Sequence, residues 1–143
     1  GFFSNEMFRE QIMPSTSRFL KYVKEQGKFI ELHSCGKNIQ YVPEMIEMGI
    51  DMWTPQAVIN DPDFLYETYG DQMTFCFNVE IDPTDSEQEI RRKMRDFVDH
   101  FGAKGRCMPW IRTDRTIPEQ EIIARDELYH YSLEYYNKRY NRT

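Results

Sequence analysis

Two residues of different chemistry stand two apart in Phe29-Ile30-Glu31-Leu32-His33-Ser34-Cys35-Gly36: the imidazole of His33 and the thiol of Cys35. In a strand, positions i and i+2 share a face, so both side chains point the same way. An imidazole nitrogen and a thiolate on one face are half of a zinc site, which takes nitrogen and sulfur ligands tetrahedrally. Gly36 lets the chain turn sharply just past the pair. The same spacing also suits a partly buried histidine beside an inert thiol, and spacing alone does not choose between them.

Zinc needs at least a third protein ligand, and the remaining cysteines are Cys76 and Cys107. Cys76 lies between Phe75 and Phe77, where a thiol commonly serves as a small core residue. It also shares a face with Asn78 and Glu80, which is a polar face. Cys107 stands near the start of a later strand, in Gly105-Arg106-Cys107-Met108-Pro109-Trp110. Glu31 shares the face of His33 and reads as a partner of the imidazole, an oxygen ligand or a solvated strand-end carboxylate. His100 and His130 fall among charged helical residues and read as surface histidines. Asp51, Gln56 and Asp82 fall near strand boundaries, where turns and pocket linings use the same residue types. Arg91-Arg92-Lys93 reads as a solvated helix face. The sequence has no Gly-rich phosphate loop and no Gly-x-Ser-x-Gly elbow, so no nucleotide site is expected.

The elements that must position these residues follow from periodicity and punctuation. Residues 5–26 read as a helix closed by Gly27 and kinked at Pro14. Strands are expected over 28–33, 50–54, 73–80 and 106–111, the third marked by Phe75, Phe77 and Val79 alternating with Thr74, Cys76 and Asn78. Helices are expected over 39–48, 63–69, from the Thr84/Glu87 capping spacing to Phe101, and from Pro118 to about Arg139. Ile90, Met94, Phe97, Val98 and Phe101 form one buried stripe, and Ile122, Tyr129, Leu133, Tyr136 and Tyr140 mark a face of the last helix. Strands alternating with helices predict parallel pairing through right-handed crossovers, an α/β fold of four βα units.

Composition narrows the class. At 143 residues, 40% hydrophobic and 15% aromatic, the chain reads as one folded domain spanning 1–143 rather than a disordered chain. A net charge of −6 argues against a nucleic-acid-binding body. Apolar runs are too short for a membrane span, and the N-terminal residues carry no signal-peptide pattern. Three cysteines are an odd number, which reads as free thiols or metal ligands in a reducing cytoplasm.

Lys24-Glu25-Gln26-Gly27, the His33-Ser34-Cys35-Gly36 segment and Val42-Pro43-Glu44-Met45-Ile46-Glu47-Met48-Gly49-Ile50-Asp51 together resemble the uroporphyrinogen decarboxylase superfamily. The His-x-Cys-Gly form resembles its corrinoid methyltransferase branch most. The resemblance implies that the four βα units are the C-terminal half of a (β/α)8 TIM barrel, with strand order following the sequence. It implies a zinc ion held by His33, Cys35 and Cys107, with Cys76 the alternative third ligand. It further implies methyl transfer from a methylated corrinoid, free or carried on a corrinoid protein, to a small-molecule thiol in the cytoplasm. Such proteins are far longer than 143 residues, so the isolated half is expected to be inactive. Its open sheet edges and an apolar lumen predict a homo-oligomer. Two other readings are a metal-free uroporphyrinogen decarboxylase-like enzyme and a non-catalytic half-barrel interaction module.

Overall fold

The computed structural model describes residues 3–140. Four strands, β1 (Glu31–Ser34), β2 (Met52–Pro55), β3 (Thr74–Glu80) and β4 (Cys107–Arg112), form one sheet in the order β1-β2-β3-β4. Glu31 pairs in parallel with Met52, and Met52 in turn with Thr74. Phe75 N donates to the Arg106 carbonyl at 3.1 Å and Ile81 N to the Arg112 carbonyl at 2.9 Å, which keeps β4 parallel to β3. The fold is therefore mixed α/β with an all-parallel sheet, and the predicted strand order is the observed one. Among the described residues no helix is long and apolar enough to cross a membrane.

The chain divides into two compact units. The first runs up to Phe77 and takes in Arg106–Met108; the second holds Asn78–Gly105 and the chain from Pro109 onward.

In the first unit the opening helical run has three parts: α1 (Asn5–Met7), a π-helical stretch Phe8–Ile12, and α2 (Met13–Glu25). The proline signal thus appears as a widened turn just before Pro14. Proline has no N–H to offer and its ring crowds the carbonyl four residues back, and a wider turn accommodates both. Gly27, at φ +68°, closes the run in the left-handed region that glycine tolerates best. Asp51 sets the start of β1: its carboxylate accepts from Ile30 N at 2.7 Å and pairs with Lys24 of α2. Burial works against the charge on Asp51, but Lys24 and the Ile30 N–H outweigh it and hold the carboxyl below the usual carboxylate range.

After β1 come a 3-10 turn (Ile39–Tyr41) and α3 (Val42–Glu47). β2 leads to α4 (Ala57–Asn60), a turn of helix that the periodicity does not predict, and to α5 (Pro62–Tyr69). Pleat alternation sorts the strand residues onto two faces. Trp53, Phe75 and Phe77 are fully buried on one, with Trp53 and Phe75 edge to face at 6.3 Å and the two phenylalanines stacked at 5.6 Å. Glu31, His33, Thr54 and Cys76 occupy the other.

In the second unit, α6 (Glu87–Phe101) packs on α7 (Pro118–Tyr140). Ile81, Ile90, Met94 and Ala124 form the core, flanked by Val79, Ile111, Ile123 and Leu128. The capping box that starts α6 is Ser86 with Glu89, not the Thr84/Glu87 pair of identical spacing. Thr84 is already engaged, donating through both N and Oγ1 to Asp82 in the preceding turn. The α6 stripe is buried as expected at Ile90, Met94, Phe97 and Val98.

The apolar face of α7 is exposed: Ile122, Tyr129, Leu133 and Tyr140 all face solvent. The buried positions are Gln120, Ala124 and Glu127. Ala124 leaves room for close helix approach, and Glu127 meets Arg91 Nη1 of α6 at 2.8 Å and also Arg95. A Cβ at Gly102 would lie 2.4 Å from the Val98 carbonyl and 3.0 Å from Tyr135, so only glycine allows that approach.

Candidate metal centre

His33 is the third residue of β1, and Cys35 follows its last residue. His33 Nδ1 lies 2.9 Å from the Thr54 carbonyl on β2, and the two residues are register partners. A carbonyl oxygen only accepts, so Nδ1 carries the proton. In the neutral ring Nε2 is then the unprotonated nitrogen, the one suited to a metal. Nε2 lies 3.6 Å from Cys35 Sγ. At ordinary zinc bond lengths, two ligands on a tetrahedron stand about 3.5 Å apart. The spacing of nitrogen and sulfur thus fits two vertices of a zinc site, and Cys35 is exposed and accessible.

The Cys35 loop is held from β2 and α4. Gln56 Oε1 accepts from Gly36 N at 3.0 Å. Asn60 Oδ1 accepts from Asn38 N at 2.8 Å and Ile39 N at 3.0 Å, while its Nδ2 donates to the Gly36 carbonyl at 2.9 Å and the Gln56 carbonyl at 2.8 Å. Asn38 Nδ2 donates to the Cys35 carbonyl at 2.7 Å. Ser34 Oγ accepts from Trp53 Nε1 at 2.9 Å. Asn60 is fully buried and uses its whole hydrogen-bonding capacity. The sequence reading missed Asn38, Thr54 and Asn60. Only Gln56 was singled out, for its place at a strand boundary. Asn38 and Asn60 carry no local signal beyond that of ordinary turn residues.

Glu31 accepts from Thr54 Oγ1 at 2.7 Å. Thr54 thereby touches both residues, His33 through its carbonyl and Glu31 through its hydroxyl. Burial pushes the Cys76 thiol up, the Thr54 hydroxyl pulls it down, and the Glu31 charge raises it further.

Cys107 stands elsewhere. The Phe75–Arg106 hydrogen bond pairs it with Phe75 on the neighbouring strand, on the face of Phe75 and Phe77. Burial, with Cys76 adding to it, pushes the Cys107 thiol far above its ordinary range. His33, Thr54 and Cys76 form one row across three strands; Cys107 stands one strand further on and on the opposite face. Three inter-strand steps make about 14 Å along the sheet, against the roughly 4 Å that separates ligands of one zinc ion. The structure brings His33 and Cys35 together but not Cys107, which lies three strands away and on the opposite face of the sheet. Cys76, two strands away, is also apart. Among the described residues, no three His, Cys, Asp or Glu side chains gather into a group that could hold a metal ion.

His100 and His130 sit on α6 and α7, with His130 Nε2 3.5 Å from Asp126. Neither belongs to this centre. Compared with known proteins, the chain matches no family model and no curated sequence.

Proposed function

We propose that the chain is the C-terminal half of a uroporphyrinogen decarboxylase-like (β/α)8 barrel and supplies His33 and Cys35 to a zinc centre for methyl transfer from a methylated corrinoid to a small-molecule thiol. The observation that carries this reading is the 3.6 Å separation of His33 Nε2 and Cys35 Sγ at the C-terminal end of a parallel strand, the end at which α/β sheets place their sites. The consecutive strand order supports the half-barrel.

His33 and Cys35 would be the residues holding a zinc ion, which when bound would supply the Lewis acidity that favours a deprotonated thiol near neutral pH, where a free thiol of pKa about 8.5 is mostly protonated. The chain's own residues do the rest of what can be derived. Thr54 keeps the proton on Nδ1, which leaves Nε2 as the nitrogen that would ligate. Cys35 Sγ stands beside it and would be the soft ligand. Gln56, Asn38 and Asn60 hold the loop that carries the thiol. Cys107 is not part of this pair.

Metal content of protein purified without chelator tests the reading. Zinc is expected in the wild type and lost in His33→Ala and Cys35→Ser. A wild-type chain free of metal, with His33 and Cys35 intact, would overturn the zinc centre and favour a metal-free decarboxylase-like protein.

A further inference from the structure

In the first unit, the opening helical run, β1 and α3 enclose a cavity of about 770 Å³, within the roughly 300–1,000 Å³ of small-molecule sites. Its interior is apolar, with Leu20, Met45, Met48 and Ile50 buried along it. The two methionines are unbranched and adaptable, so this lining suits a flexible chain better than a rigid ring. Two polar groups meet the cavity at the C-terminal end of β1: the Ser34 hydroxyl and the Lys37 ammonium. Ser34 Oγ accepts from Trp53 Nε1 at 2.9 Å and from Asn38 Nδ2 at 3.2 Å. The Asn38 amide is oriented by a second bond, from Nδ2 to the Cys35 carbonyl at 2.7 Å. Both lone pairs of the Ser34 hydroxyl are thus used, and what remains is its proton, to be donated. Among the described residues no acceptor takes that proton, and Lys37 has neither an ion pair nor a hydrogen bond. Glu31 also borders the cavity, but its carboxylate is engaged by Thr54 Oγ1 on the other face of the sheet.

We propose that this cavity binds a monocarboxylate with a flexible apolar chain: the headgroup accepts from Ser34 Oγ and pairs with the Lys37 ammonium, and the chain lies along Met45 and Met48. A hydroxyl left only to donate, next to a lysine without a counter-ion, calls for an anionic acceptor, and hydrogen bonds to an ionised acceptor are the stronger kind. A phosphate headgroup is the poorer match. Phosphates are cradled by successive backbone N–H groups, and in this loop those of Gly36, Asn38 and Ile39 already donate to Gln56 Oε1 and Asn60 Oδ1. The proposal uses no metal and no contact to His33 or Cys35, so it stands or falls apart from the zinc reading.

The test titrates decanoate, decan-1-ol and decyl phosphate, each below its micelle-forming concentration, into the whole chain and into Ser34→Ala, Lys37→Ala and Thr16→Trp, with calorimetry as the readout. Lys37 is exposed, so its substitution leaves the core untouched. Thr16 is a half-buried lining residue on α2, and an indole there fills the cavity. Decanoate is expected to bind the wild type more tightly than decan-1-ol or decyl phosphate. Ser34→Ala should weaken decanoate about tenfold, as loss of a hydrogen bond to a charged group does. Lys37→Ala should weaken it about threefold, as for an exposed ion pair, and leave decan-1-ol unchanged. Thr16→Trp should abolish binding of both. If Ser34→Ala fails to fold because Trp53 Nε1 has lost its acceptor, Lys37→Ala and the decan-1-ol comparison decide the headgroup. No saturable binding of decanoate, or unchanged binding in Thr16→Trp, would overturn the site. Equal affinity for decan-1-ol, or tighter binding of decyl phosphate, would overturn the carboxylate. A wild-type dimer that Thr16→Trp converts to monomer, with no decanoate bound, would overturn the proposal and give the cavity to a second copy of the chain.

Discussion

The backbone carbonyl of Thr54 accepts from His33 Nδ1 at 2.9 Å, across the register pair that joins β1 to β2. The tautomer of the imidazole is therefore set by sheet pairing and not by a side chain that substitution could remove. Nitrogen-15 NMR of the histidine ring at neutral pH should show His33 protonated on Nδ1. The opposite tautomer would remove the basis for Nε2 as a ligand.

Metal binding should separate Cys35 from Cys107. Cys35→Ser should abolish zinc binding, whereas Cys107→Ser should leave it intact, because Cys107 lies three strands from His33. Inductively coupled plasma analysis of the purified variants measures this. Loss of zinc in Cys107→Ser with retained zinc in Cys35→Ser would reverse the assignment.

Glu127 should make the second unit sensitive to acid. Arg95 holds its carboxyl below the usual carboxylate range; burial opposes this and Arg91 adds to it. Because the folded value is the lower one, the stabilisation is present above the unfolded value of about 4.3 and is lost as pH falls through the folded value. Glu127→Gln should cost about 1–2 kcal/mol at pH 7, as hydrogen bonds to a charged acceptor do. Urea denaturation of both proteins at pH 7 and at pH 3 checks it: the difference should shrink at the lower pH.

The start of α6 offers a comparison between two motifs of equal spacing. Ser86→Ala removes the hydroxyl that accepts from Glu89 N and should destabilise the protein by about 1 kcal/mol. Thr84→Ala should cost less, since Thr84 bonds only within its turn. Equal shifts of the urea midpoint in the two variants would contradict the assignment of the cap.

Periodicity and punctuation made the elements legible, because the pleat of a strand and the pitch of a helix act over a few residues. Four strands alternating with helices, the glycine stop at Gly27, the stripe from Ile90 to Val98 and the pairing of His33 with Cys35 all arise at that range. Tertiary structure decided what depends on residues far apart in the chain. The Thr84 and Ser86 signals were locally equivalent, and Asp82 chose between them by occupying Thr84. The apolar period of α7 pointed to Ile122, Tyr129 and Leu133, but the side that docks is the one where Ala124 permits close approach and Glu127 meets the arginines of α6. Cys107 looked like a ligand by residue type, yet strand order places it three spacings from His33. Asn60 gave no sign at all, because an amide becomes a clamp only when the loop it holds folds around it.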